Sequence, residues 1–251
     1  MSGHSKWSTI KRKKGAADAK RGAVFTRLTR EIVLAARDGG GDPNANFRLR
    51  LAVDKARSQN MPKDNIERAV RRGTGEDKDA AAFEQITYEG YAPHGIAVMV
   101  ECVTDNRNRT VAELRHTLTK AGGSMAEVGS VAWQFERVAY FSFPSSAMSY
   151  DRAFELGIET GASDVNEDSG TIEIVGPVET FKDIADRLHA AGVQPEEAGL
   201  RLMPKQELEL GVDQTVQVMR ALEGIEDLDD VQNVFSNLKV SEEAVAALEA
   251  A

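Results

Sequence analysis

Apolar residues recur at helical spacing through the first third of the chain and mostly at strand spacing afterwards. Over residues 16–38, Val24, Phe25, Leu28, Ile32, Ala35 and Ala36 fall on one stripe, which predicts a long amphipathic helix. Lys20, Arg27, Arg30 and Arg37 are assigned to its opposite, solvent side. Gly39, Gly40 and Gly41 stop it, because consecutive glycines favour left-handed or extended backbone. Leu49, Ala52, Val53 and Ala56 predict a second helix over about 45–58. Ile66, Ala69 and Val70 predict a third, with Pro62 at its first position and an end near Arg72. Three short stripes of this kind are buried against one another as a small bundle.

After a polar linker at 76–83 the period changes. Ile86–Tyr91 reads as a strand, Pro93-His94-Gly95 as a turn, and the nearly continuous apolar run Ile96–Val103 as a strand buried on both faces. Thr110 with Glu113 has the spacing of a capping box, so a helix is expected to start at Thr110, leaving 105–109 as a loop before it. Residues 124–130 read as a loop, and Val131–Phe135 as a strand with Trp133 in the core. Residues 137–204 then spell strand, helix, hairpin, helix, strand, which is the ferredoxin-like plan. A helix over 213–223, a strand over Val231–Leu238 and an Ala/Glu helix remain, and they complete a second α/β set begun at residue 84. The expected class is therefore α+β: an N-terminal three-helix bundle plus two ferredoxin-like α/β domains, one inserted in the other. The expected boundaries are 1–79, 80–136 plus 205–251, and 137–204.

Charge divides along the same lines. The whole chain carries a net −9, yet residues 1–79 hold 19 Lys and Arg against 10 Asp and Glu, and the rest hold 12 against 30. Contact with a polyanion should be one-sided, through the basic third. No run approaches the roughly 20 apolar residues a membrane span needs, and the charged start has no apolar stretch behind it, so a cytoplasmic protein is expected. One cysteine, Cys102, precludes an internal disulfide, and its alternation with Ile96, Val98 and Val100 makes it a core residue. The four scattered histidines show no zinc-ligand spacing. No cofactor and no metal are expected, and the expected state is a monomer.

The candidate chemistry is electrostatic. Lys6, Trp7, Lys11, Arg12, Lys13, Lys14, Lys20 and Arg21 form a basic start with one aromatic that could stack on an exposed base. The competing reading is a solvated terminus without function. Arg107 and Arg109 sit just before the expected helix start, where unpaired amides favour an anion. The competing reading there is an Asn-rich turn that merely presents the cap. No phosphate loop, nucleophile elbow or His-Glu-x-x-His signature is present, so no enzyme is expected. Adjacent acids such as Glu196-Glu197 and Asp229-Asp230 are read as solvated faces.

Gly3-His4-Ser5-Lys6-Trp7, then Asp105-Asn106-Arg107-Asn108-Arg109-Thr110, then Gly129-Ser130-Val131 with Trp133 and Phe135, resemble the YebC family. The family includes the mitochondrial translational activator of cytochrome oxidase subunit I. Ser124-Met125-Ala126-Glu127 departs from the pattern, where a Leu-Gly pair is expected. The resemblance implies a helical bundle and two α/β domains, one of them discontinuous. It also implies a non-enzymatic regulator of gene expression. One version is a DNA-binding transcriptional regulator. The other is a ribosome-associated factor that acts on ribosomal RNA or tRNA and helps translation through proline runs. The alternative from another class is a small-molecule or anion-binding module using the ferredoxin-like domain. A hydrolase in an interdomain cleft is a third reading, and no nucleophile–base pair supports it.

Overall fold

The helical stripes meet as their spacing dictates. A computed structural model describes residues 18–76 and 83–249, and the expectations that fall on Lys6, Trp7 and Lys11 to Lys14 lie outside them. Helices α1 (Asp18–Gly39), α2 (Phe47–Ser58) and α3 (Lys63–Gly73) close over Leu28, Ile32, Leu49, Val53, Ile66 and Ala69. The Asn46 side chain caps α2 by accepting from the Leu49 N–H, while its amide donates to the carbonyls of Ala35 and Gly40. One side chain thus starts α2 and fastens the end of α1. Gly73 is where a Cβ would collide with the Val33 carbonyl of α1, so glycine sets the close approach of α3. Pro62 is the N-cap of α3 and not its first helical residue. Its backbone is extended, and its carbonyl accepts the N–H groups of Asn65 and Ile66.

The next elements are β1 (Glu84–Tyr91), β2 (Ala97–Thr104), α4 (Arg107–Ala121) and β3 (Ser124–Met125). Two expectations are corrected here. Helix α4 begins three residues before Thr110, because Asn106 is the N-cap and accepts from the Arg109 N–H. An Asn at this position is a strong cap, and the Thr110 hydroxyl is engaged elsewhere. Residues 107–109 are therefore the first turn of a helix and not a loop. Ser124–Met125 pairs with β1 instead of lying in an open loop.

Residues 131–135 are the third correction. Ala132–Gln134 form a 3₁₀ turn where a strand is expected, and β4 (Phe135–Pro144) begins at Phe135 and runs on into the strand expected to open the 137–204 unit. Trp133 is 68% exposed. The unit continues with α5 (Tyr150–Thr160), β5 (Asp164–Asp168), β6 (Thr171–Pro177), α6 (Phe181–Ala190) and β7 (Glu197–Pro204). Its sheet has the order β5-β6-β4-β7, antiparallel throughout, with Phe135 paired to Pro204 at one end. This is the ferredoxin-like arrangement. Its core is built on Phe141, Phe143, Ile172, Ile174, Ile184 and Leu188.

The chain then returns through β8 (Leu208–Glu209), α7 (Val212–Glu226), β9 (Val231–Ser236), β10 (Leu238–Lys239) and α8 (Glu242–Glu249). β9 adds to the first sheet, giving the order β3-β1-β2-β9, with the β1–β2 hairpin at the centre. One unit is therefore inserted in the other. β2 is buried along its whole length, as an inner strand should be. Val98, Val100 and Cys102 pack under Leu114, Leu118, Val218 and Leu222 from α4 and α7. Burial, with the Asp230 carboxylate nearby, pushes the Cys102 thiol up to about 12. On the opposite face Ala97, Met99, Val131, Phe135 and Phe235 join the two sheets. Among the described residues no helix is long and apolar enough to cross a membrane.

Candidate nucleic-acid interface

A buried carboxylate ties the helical bundle to the first sheet. Asp230, just before β9, is 1% exposed. It accepts from Arg30 of α1 at 2.7 Å, Thr104 at 3.0 Å, Thr110 at 2.7 Å, and Arg109 at 2.9 and 3.0 Å. Arg30 also donates to the Asp229 carbonyl, and Arg27, one turn away, to that of Glu226. Burial alone would raise the Asp230 carboxyl. The hydrogen bonds from Thr110, Arg109 and Thr104, with the Arg30 charge, hold it below its ordinary value instead. Arg30 is itself buried, contrary to the helical-wheel expectation, because it faces another domain and not water. A wheel drawn on one helix carries no information about a carboxylate 200 residues away.

This latch brings two cationic segments to one edge. At the end of α3, the Arg72 guanidinium lies 4.0 Å from the Phe83 ring centroid. Arg37 donates to the Phe83 carbonyl at 2.8 Å. The next residue, Glu84, accepts from Arg107 Nε at 2.6 Å. The end of α3 and the start of α4 therefore flank a single short stretch of chain. Arg68 and Arg71 on α3 are exposed and form no ion pair among the described residues. Along α4, Arg107, Arg109, Arg115, His116 and Lys120 are all exposed, against Glu113 as the only acid of that helix. Arg115 and Lys120 are additions to the sequence reading. Their signal was available, as cations at the polar positions between Leu114 and Leu118 and after Leu118, but the acidic total of this part of the chain concealed it.

A second constellation lies at the other end of β1. The buried Glu89 carboxylate accepts the backbone N–H groups of Gly129, Val131 and Ala132 at 2.6, 2.7 and 2.9 Å. Burial would raise this group, but the three amides hold it below its ordinary value. Gly129 supplies the left-handed φ of 88° that turns the amides inward. The same turn points Val128 outward at 94% exposure and leaves Trp133 in solvent. The Trp133 indole N–H donates to the Ser130 carbonyl, and Lys205 Nζ donates to the Trp133 carbonyl, both at 3.0 Å. An exposed aromatic on a fastened turn is a ready stacking platform. Glu84 and Glu89 are five residues apart on β1, so about 17 Å separates this turn from the arginines.

Of the residues singled out from the sequence, Lys20 and Arg21 belong to α1. Arg107 and Arg109 share the start of α4, two residues apart. Arg109 is engaged by Asp105 and Asp230, and hydrogen bonding to Asp230 raises its affinity for the proton further. Among the described residues Arg107 pairs with the exposed Glu84 alone, their side chains being 66% and 50% exposed.

Comparison with known proteins follows the same division of the chain. Residues 5–76 match the family profile described as "TACO1/YebC protein N-terminal domain", and residues 83–238 match "TACO1/YebC second and third domain". A protein of Geotalea uraniireducens named "Probable transcriptional regulatory protein" is 50% identical over 243 residues, covering 97% of this chain and 98% of that one. A protein of the same description from Geobacter sulfurreducens is 48% identical over 248 residues, covering 99% and 100%. Among solved structures, that of a conserved hypothetical protein from Aquifex aeolicus is similar, with a TM-score of 0.81 and 41% identity over 90% of this chain and 93% of that one.

Proposed function

The chain belongs to the TACO1/YebC family, and from that premise we propose that it is a non-enzymatic regulator of gene expression that binds structured RNA along the edge shared by α3 and α4. The observation that carries this reading is the Asp230 latch. It holds a basic bundle against the basic start of α4, and this reading assigns to phosphates the exposed cations of the two helices, Arg68 and Arg71 on α3 and Arg107, Arg115 and Lys120 on α4. The N-terminal cations Lys6, Lys11, Arg12, Lys13, Lys14, Lys20 and Arg21 supply long-range attraction, and Trp7 stacks on a base. Arg107 fixes a phosphate. Its exchange of exposed Glu84 for a phosphate costs little, since such surface pairs are worth about 0–1 kcal/mol. Arg109 serves mainly to position the helix start, because a buried carboxylate already holds it.

Two features favour RNA over duplex DNA. Trp133 and Val128 project from a rigid turn, and stacking needs bases that are not enclosed in a duplex. No row of side chains suited to reading base edges accompanies the exposed cations among the described residues, which weighs against sequence-specific readout in a duplex groove. Binding to duplex DNA is the second reading, and the description shared by the relatives, "Probable transcriptional regulatory protein", favours it.

Gradient sedimentation of cell lysate tests the choice. The expected result is co-migration with ribosomal particles that is abolished by ribonuclease and unaffected by deoxyribonuclease. Release by deoxyribonuclease alone favours the DNA reading, and migration as a free protein without either treatment contradicts both.

A further inference from the structure

The inserted domain is acidic, with five Lys and Arg against thirteen Asp and Glu over residues 135–204, so it cannot share the role of the basic edge. One of its helices nevertheless shows solvent an ordered apolar stripe. On α5, Tyr150, Phe154 and Ile158 are spaced four residues apart and are 37%, 46% and 67% exposed. The Tyr150 and Phe154 rings are stacked with centroids 6.0 Å apart, and the Tyr150 hydroxyl donates to the Val165 carbonyl. Ala153, Leu156, Gly157 and Thr160 are the buried positions of α5, so this stripe is a second apolar face and not part of the core.

The charge beside the stripe identifies what it suits. Asp151, Glu155 and Glu159 each follow a stripe residue by one position, so they form a parallel acidic row along the same helix. Glu159 also lines a shallow cleft with Thr160 and with Asp183, Asp186 and Arg187 of α6, three acids against one cation. Arg152 pairs with Glu155 and Arg187 with Glu159, but all four side chains are more than 40% exposed, and such pairs exchange readily. Tyr150 to Ile158 spans about 12 Å, enough for two turns of a partner helix.

We propose that the Tyr150–Phe154–Ile158 stripe and its acidic row dock a basic amphipathic helix of a protein partner. The partner places leucine-like residues at i, i+4 and i+7 or i+8 on the stripe and lysines or arginines on the acidic row. The chain would then join a nucleic acid at one domain to a basic protein at another. This role does not depend on whether the nucleic acid is RNA or DNA.

The test uses the full-length protein, freed of nucleic acid, and fluorescence anisotropy with three labelled synthetic peptides. One is an amphipathic Leu/Lys helix, one has the same composition scrambled so that no apolar face forms, and one replaces Lys by Glu. The expected result is that the Leu/Lys helix binds at least tenfold more tightly than either control. Phe154→Ser with Ile158→Ser should abolish that preference, and Asp151→Asn with Glu155→Gln should weaken it several-fold. Circular dichroism should leave both variants unchanged, since the altered side chains are exposed. Equal binding of the scrambled peptide, or equal binding by the stripe variant, overturns the proposal. So does a concentration-dependent dimer of the wild type, in sedimentation velocity, that the stripe variant loses, because the occupant would then be a second copy of the chain.

Discussion

Glu89 and Asp230 show how single buried carboxylates organise the surfaces around them. Each has its proton affinity lowered by donors that outweigh its burial. The stability each contributes is complete above its unfolded value, about 4.3 for Glu and 3.9 for Asp, and is lost as the pH falls through the lower folded value. Glu89→Gln can still accept with its carbonyl, but its amide then faces N–H donors. A loss of about 1–3 kcal/mol is expected, together with a flatter acid unfolding curve below about pH 4 by circular dichroism. Asp230→Asn leaves Arg30 buried without a counter-charge, and about 3–5 kcal/mol is expected from denaturant melts. Trp133→Ala differs from both. The side chain is exposed, so stability should stay within about 0.5 kcal/mol, while affinity for an RNA with unpaired bases should fall by about 1–3 kcal/mol. An unchanged affinity would remove Trp133 from the interface. The tryptophan also marks where sequence reading stops. An apolar residue between Val131 and Phe135 matches a strand pattern, and only the distant Glu89 carboxylate, by drawing in the Val131 and Ala132 amides, turns that segment into a 3₁₀ turn.

At the level of elements, what periodicity could carry was legible: three helices with matching stripes, a buried inner strand, and the order of strands and helices in the inserted unit. Boundaries set by long-range contacts were not. Thr110 and Glu113 have the spacing of a cap, but Asn106 caps α4 and the Thr110 hydroxyl is taken by Asp230. Arg107 and Arg109 were legible as a cationic pair at a helix start. Their unequal roles depend on Asp230, which is 121 residues from Arg109 in sequence. Arg107→Lys is therefore the informative change. It keeps the charge and loses the planar fork, so in-cell function should drop while non-specific binding in vitro persists. The same substitution at Arg109 would also disturb the latch. The pairing of Phe135 with Pro204 closes the inserted sheet at both its chain ends. A fragment of residues 135–204 should fold alone, with mixed helix and strand signal in circular dichroism, and should not bind nucleic acid. A disordered fragment would contradict the autonomy of that unit.

At the scale of the whole molecule, the charge asymmetry and the latch combine into one claim: a basic edge made of the helical bundle and α4, held together by Asp230, receives phosphates, and the acidic inserted domain takes no part in that contact. Salt dependence is the direct probe, because each phosphate contact contributes about one unit to the slope of log affinity against log salt. The measurement is an RNA-hairpin titration at several salt concentrations, comparing wild type with Arg68→Ala, Arg71→Ala, Arg115→Ala and Lys120→Ala combined. The account predicts weaker binding and a slope reduced by about three to four units, with an unchanged melting curve. Wild-type affinity and slope in the fourfold variant would contradict it.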